Sequence, residues 1–382
     1  MPDTLSLSHI EISKKNLIHN IMQFRNLAKK GTKFAVAIKG NAYGHGQNEI
    51  VKILESYVDY FFVNSIEELK LLRKISTKKA FLFGYVQKAN LQEAIRLGCI
   101  LSVFSIDQLK ELNKMAGRSQ TKQEIHIPVD ACLGREGLLL ADLPDFLKEA
   151  KKCKYVKVSG IYAHFANIED TPDFTHAQKQ IDQYQEALKF AEKFGFYDLQ
   201  THISSTSGLL VYEKEKGIHP IVRLGIGVYG MWPSKYLQSV YKKNKKYKLE
   251  LKPVLSWKTK VAQVKILPKG HTIGYGLTYK TKKATKIALV PQGYADGVDR
   301  KLSNKGEVLI QGTRCKILGR VSMNMFVVDV SHLRKINIED EIVIIGKQAK
   351  EEIVAEEIAG KPVTINYEIT TRISSLLPRI VV

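Results

Sequence analysis

The chain has 382 residues, of which 44% are hydrophobic and 25% charged; this is ordinary soluble usage and excludes both a disordered chain and a polytopic membrane protein. Its length implies two domains, because a single core seldom grows past about 250 residues. The formal net charge of +21 raises binding to nucleic acid or a membrane surface, but the lysines are spread along the sequence without an arginine-aromatic recognition module, so a solvated basic surface is expected, with no specific nucleic acid and no membrane as partner.

The N-terminus, Met1 to Ile10, carries no basic patch followed by an apolar run, and no stretch of about 18 apolar residues follows anywhere, so a cytoplasmic protein is expected. From Lys15 to Trp232, short apolar runs alternate with segments of helical spacing, the rhythm of repeated βα units. Strands are predicted at Phe34–Ile38, Tyr60–Val63, Ala80–Phe83, Ile100–Phe104, Ile125–Val129, Val156–Ile161, Gln200–Ile203 and Ile221–Leu224. Helices are predicted at Asn16–Lys29, Ile66–Lys74, Ile106–Ala116 and Phe174–Phe194, the last opened by Thr171 and Pro172 as cap and first-turn residues. Eight such units make an α/β chain with a TIM-like (β/α)8 barrel over residues 10–236.

A dense lysine run, Tyr241 to Lys248, precedes a change of texture. Beyond it, β-branched runs punctuated by glycine predict a mostly β domain, with strands at Lys260–Ile266, Thr285–Val290, Glu307–Ile310, Phe326–Val330 and Glu341–Ile345. Residues 1–9 and 237–382 are assigned to it. Cys99, Cys132, Cys153 and Cys315 have neither CxxC nor His-Cys ligand spacing, which argues against a zinc site and a disulfide framework and predicts reduced, mostly buried thiols.

Catalytic residues of a (β/α)8 barrel gather at the C-terminal ends of its strands, and Lys39, Arg135, His164 and Arg223 each end or follow a predicted strand. Lys39 closes a buried strand and opens a glycine-rich turn, Lys39-Gly40-Asn41-Ala42-Tyr43-Gly44-His45-Gly46. Apolar surroundings there can lower the pKa of its amine and suit it to condense with an aldehyde; the other reading is a lysine that ends a strand and reaches solvent. By themselves His164 reads as a core histidine, Arg223 as a surface arginine, the serine-rich run His202–Ser207 as a turn, Tyr275 and Tyr294 as turn aromatics, and Tyr367 as a packed edge tyrosine.

The segment Phe34–Gly46 closely resembles the cofactor-lysine motif of alanine racemases, and the resemblance continues through nearly the whole chain, motif after motif in the family's order. It implies a pyridoxal 5'-phosphate barrel with a C-terminal β domain, Lys39 carrying the cofactor and Tyr43 touching its phosphate. In Ile221–Gly230, Arg223 would face the pyridine nitrogen, and Gly225 and Ile226 would offer N–H groups to the phosphate. Ser205 and Thr206 stand where the family has asparagine and serine, and keep hydroxyl donors. His164 would pack on the cofactor ring and hydrogen-bond Tyr275, the second catalytic acid/base. Tyr275 would act opposite Lys39, because inverting a carbon needs a proton taken from one face and returned to the other; a tyrosine in water ionises only near pH 10, so His164 and Arg223 would assist it.

Arg135 would bind the substrate carboxylate, Met323 would offer its backbone N–H to the substrate, Tyr294 would lie at the same site, and Tyr367 would narrow the entrance. Three further departures are visible. Pro128 stands where the family has a lysine, often carbamylated, that holds the arginine, so something else must orient Arg135. Ser322 and Asn324 replace a cysteine and an aspartate, which leaves substrate preference open. The resemblance implies a head-to-tail homodimer with shared active sites that converts L-alanine to D-alanine for peptidoglycan. The alternatives are a broader or serine-preferring racemase, a related decarboxylase, and a non-enzymatic pyridoxal-phosphate barrel protein.

Overall fold

Runs such as Tyr60-Phe61-Phe62-Val63 are apolar at every position, which suits strands covered on both faces. In the computed structural model, which describes residues 6–213, 219–243 and 248–382, these runs form eight parallel strands: Lys33–Ala37, Tyr60–Val63, Ala80–Leu82, Ile100–Ser102, Gln123–Pro128, Val156–Tyr162, Gln200–His202 and Ile221–Leu224. The first seven pair each with the next along the chain, and the eighth pairs with the first, Ala35 lying opposite Arg223. The seam between the seventh and eighth is bridged just past its end, where Arg223 N–H donates to Ser204 O at 3.0 Å. A nearly closed barrel results.

Outer helices follow the strands. Lys14–Leu27, Ile66–Arg73 and Ile106–Arg118 are capped by Ser13, Ser65 and Ser105, whose hydroxyls accept the N–H of the residue three further on, each cap being worth about 1 kcal/mol. The expected cap at Thr171-Pro172 is corrected, since the helix covers Thr175–Lys193. Thr171 Oγ1 accepts from Asp173 N–H at 3.0 Å and Asp173 Oδ1 from Thr175 N–H at 2.9 Å, so two side-chain turns occupy the segment read as the first helical turn.

The second domain is built on a sheet whose strands include Leu255–Lys260, Gln263–Leu267, Thr285–Val290, Glu307–Ile310, Thr313–Leu318, Phe326–Asp329 and Glu341–Gln348. The strand expected over Lys260–Ile266 is therefore two. The chain steps between neighbours where Val261 N–H donates to Asp340 O and Ala262 N–H to Leu289 O. Residues 10–12, expected in the barrel domain, sit in this sheet: His9–Ile12 pairs antiparallel with Leu255–Lys260 and parallel with Arg379–Val381. The helix Lys235–Lys243 runs across the expected boundary at 236. Of the lysine run, residues 244–247 lie outside the described residues.

All four cysteines are free, and Cys99, Cys153 and Cys315 are buried. Among the described residues no helix is long and apolar enough to cross a membrane, and no cluster of side chains suits a metal ion.

Candidate active site

Lys39 ends the first barrel strand, and the backbone then makes one turn of left-handed helix. Gly40, Asn41 and Ala42 have φ of 60°, 52° and 54° with ψ near 50°, a conformation that costs L-residues roughly 1–2 kcal/mol apiece. Neighbours hold it in place. Glu68 accepts the N–H of Gly40 at 2.6 Å and of Asn64 at 2.8 Å, Arg379 Nη2 donates to Gly44 O at 2.9 Å, and a Cβ on Gly44 would stand 1.9 Å from Thr370 O.

This turn aims Lys39 into a cavity of about 860 Å³ at the C-terminal ends of the strands. Burial lowers the pKa of its amine, the charge of Arg135 adds to that, and Glu68 opposes both. The same cavity is lined by Tyr43, Ser205, Thr206, Gly225 and Ile226, and by Arg135, His164, Arg223 and Tyr367. Tyr43 packs between Tyr229 and Tyr367, with ring centroids 5.3 and 5.9 Å away, and burial pushes its hydroxyl up to about 12, so it stays a donor at neutral pH. Thr206 Oγ1 accepts the N–H of Gly225 at 3.1 Å. That N–H, expected to be free for a phosphate, is thus engaged within the protein, whereas Ile226 opens the turn Ile226–Tyr229, whose first N–H groups have no partner inside the helix.

Arg223 fixes the protons of its surroundings. Its Nη1 donates to His202 Nδ1 and O, and its Nη2 to Ala163 O at 2.7 Å, His164 Nδ1 at 3.1 Å and Ile203 O at 3.2 Å. Arginine can only donate, so both histidines accept at Nδ1 and carry their proton on Nε2. Burial, reinforced by the charge of Arg223, lowers His164 to about 3; a neutral ring with a free Nε2–H faces the cavity. His202 passes its Nε2–H to His126 Nδ1 at 2.8 Å. Burial lowers Arg223 to about 10, leaving it a cation at neutral pH. Its Nε–H has no protein partner among the described residues.

Tyr275, Tyr294 and Met323 do not line this cavity. They sit on the β domain, 72%, 44% and 55% exposed, and are gathered there by backbone contacts: Tyr294 N–H donates to Ser322 O and Ala295 N–H to Met323 O, while Gly276 in the Tyr275 turn lies under the Arg320 guanidinium. Sequence reasoning gave no role to His126, His202, Glu68, Glu136 or Arg379. The strand period places His126 and His202 facing inward, a signal available in principle; the contacts of Glu136 and Arg379 had none.

One mouth of the parallel eight-stranded barrel thus presents a half-buried lysine, a fixed arginine and a pocket lined by hydroxyls, with a β domain appended to the barrel. The alanine racemase N-terminal domain matches residues 12–233 and the C-terminal domain residues 254–381, and the chain belongs to the alanine racemase family. An alanine racemase of Leptospira interrogans is 33% identical over all of this chain and 97% of its own length, and alanine racemase 2 of Caldanaerobacter subterraneus is 33% identical over 100% and 96%. Among solved structures, the alanine racemase of Streptomyces lavendulae superposes with a TM-score of 0.92 at 30% identity, covering 100% of this chain and 98% of that one. The Bacillus anthracis alanine racemase with bound L-Ala-P gives 0.92 at 29%, covering 100% and 96%.

Proposed function

We propose that the chain interconverts L- and D-alanine with pyridoxal 5'-phosphate held at the barrel mouth, using Lys39 and the partner subunit's Tyr275 as its two acid/base groups. The observation that carries this reading is the convergence of Lys39, Arg223 and the hydroxyls of Tyr43 and Thr206 on one cavity, in a chain matched end to end by alanine racemases.

The residues present fit the cofactor. Donors suited to a phosphate are the hydroxyls of Tyr43, Ser205 and Thr206 and the N–H of Ile226. Gly225 contributes space instead, since a Cβ there would approach the Tyr43 hydroxyl to 3.1 Å. The free Nε–H of Arg223 suits a pyridine nitrogen, which a permanently charged donor keeps unprotonated. When bound, the group supplies a conjugated system that takes up negative charge from the substrate Cα.

Lys39 Nζ takes the Cα proton from one face or returns it there, and the neutral form favoured by burial is the one that accepts it. Tyr275 of the partner subunit serves the opposite face, with the His164 Nε2–H donating to its oxygen. Arg135 holds the substrate carboxylate, the partner's Met323 and Tyr294 close over the substrate, and Tyr367 narrows the entrance. The exposed aromatic and methionine surface around Tyr275 supports a head-to-tail homodimer in which each β domain covers the other barrel.

Deuterium wash-in at Cα, run with L-alanine, L-serine and L-lysine in D2O, tests the assignment. Alanine should exchange fastest, and Lys39→Ala or Tyr275→Phe should each slow exchange by about 10²–10⁴-fold. Mixing these two inactive variants under conditions of subunit exchange should restore activity, since one site of each hybrid dimer then holds both residues. Faster exchange of serine or lysine would change the substrate, no recovery on mixing would remove the shared site, and no exchange of any amino acid by cofactor-loaded protein would overturn the racemase reading.

A further inference from the structure

The loop that carries Arg135 presents two side chains together. Asp130 Oδ1 accepts the N–H groups of Leu133 and Gly134, both at 2.9 Å, which closes the turn after the strand Gln123–Pro128. The chain returns at once, Leu138 N–H donating to Pro128 O at 2.9 Å. Gly137 makes that return possible: its φ is +125°, and a Cβ would stand 2.6 Å from Asp130 N. Arg135 and Glu136 are thereby held at the loop tip, and both line the cavity that contains Lys39.

Their side chains meet as a fork. Arg135 Nη2 donates to Glu136 Oε1 at 2.8 Å, and Arg135 Nε donates to Glu136 Oε2. A guanidinium offers five N–H donors in a fixed plane. Glu136 occupies the Nε–Nη2 edge, so both N–H groups of Nη1 and the second of Nη2 are left, and one from each nitrogen forms the terminal edge that a second carboxylate can grip. No protein acceptor meets that edge among the described residues. Pro128, at the end of the preceding strand, has neither charge nor a side-chain donor or acceptor and so cannot hold the guanidinium.

The pair is also electrically tied to Lys39. The charge of Arg135 lowers the lysine's pKa and that of Glu136 raises it. Burial alone would raise Glu136, but the hydrogen bond from Arg135 and the charges of Arg135 and Lys39 together hold it below the usual carboxylate value. The fork is therefore ionised on both sides at neutral pH.

We propose that Glu136 is the positioning residue for Arg135: its carboxylate holds the guanidinium by one edge so that the terminal edge stays turned toward the substrate carboxylate. The inference rests on the reading of Arg135 as the group that binds that carboxylate. A long side chain held in this way loses less rotational freedom when substrate arrives than a free one, and the neutralised pair makes binding depend on the direction of the donors more than on net charge.

The test uses holoenzyme carrying Glu136→Gln, Glu136→Ala or Glu136→Asp, with Arg135→Ala as reference. Steady-state kinetics give KM and kcat for both enantiomers, and calorimetry measures binding of propionate, which has a carboxylate and a small side chain but no amine to react. In the Gln and Ala variants KM should rise about tenfold, equivalent to ~1.4 kcal/mol, with kcat changing much less. Propionate affinity should fall in parallel, approaching that of Arg135→Ala, and Glu136→Asp should recover part of both losses. Unchanged KM and propionate affinity in the Gln and Ala variants would overturn the proposal, and so would a KM loss that propionate binding does not share. If wild-type holoenzyme exchanges no Cα proton at all, the racemase reading fails, while the propionate titration still decides whether Glu136 governs carboxylate binding at Arg135.

Discussion

Arg223 carries a charge into a place that little water reaches, and each acceptor around its two terminal nitrogens is spoken for. Replacing His202 by Phe removes the acceptor at Nδ1 and leaves a charged N–H buried without one. That should cost about 1–3 kcal/mol, read as a lower urea midpoint, and should weaken cofactor binding because the guanidinium keeps its backbone acceptors and His164 but loses one of its anchors. At this scale the sequence was legible where one residue carries a motif: Lys39, His164 and Arg223 were placed at the strand ends and line one cavity. It was not legible where function comes from a contact. Nothing in the run Gly134-Arg135-Glu136-Gly137 announces that adjacent side chains fold back on each other, and Thr206 taking the N–H of Gly225 depends on how two separate loops approach.

The left-handed turn after Lys39 is an element that propensity disfavours and tertiary contacts enforce. Gly44 sits at φ +83° with no room for a Cβ beside Thr370 O. Gly44→Ala should therefore destabilise the protein by more than about 2 kcal/mol, measured by chemical unfolding, and should loosen the lysine enough to slow cofactor uptake. Barrel strands such as Tyr60–Val63 and Ala80–Leu82 are readable because both faces are buried and every position is apolar; Gln200–His202 has no such run and is half-buried at two of its three positions. Less readable are the short strands His9–Ile12, which lies between Leu255–Lys260 and Arg379–Val381, and Arg379–Val381, which pairs with His9–Ile12 alone at the edge of the sheet. The helix Thr175–Lys193 starts late because Asp173, rather than Thr171, takes the N–H of its first residue.

Over the whole molecule, several histidines are folded away in neutral form. Burial is the leading cause for each: His126 and His164 are lowered to about 3, and His45 and His219 to about 4. An unfolded chain takes up protons on these rings near pH 6.5, whereas the folded one does not until far lower, so the unfolded state binds more protons between the two values. Their stabilising contribution is complete above about pH 6.5 and is lost as the pH falls toward 4 and 3. Unfolding free energies measured at pH 7, 6 and 5 should decline in that order, and His126→Phe should flatten the decline.

The fastening of Gly44 by Arg379 also dictates when a newly made molecule can become competent. The lysine and its turn leave the ribosome early, but the side chain that grips the turn is encoded 335 residues later; at about 5–20 residues per second, that interval lasts roughly 17–67 s. Throughout it the nascent barrel has its lysine but lacks the clasp, and a prematurely terminated message yields a product with the same defect. Full-length chains carrying Arg379→Ala should reproduce that unfinished state, with slower appearance of cofactor absorbance on reconstitution even though every residue of the barrel is present.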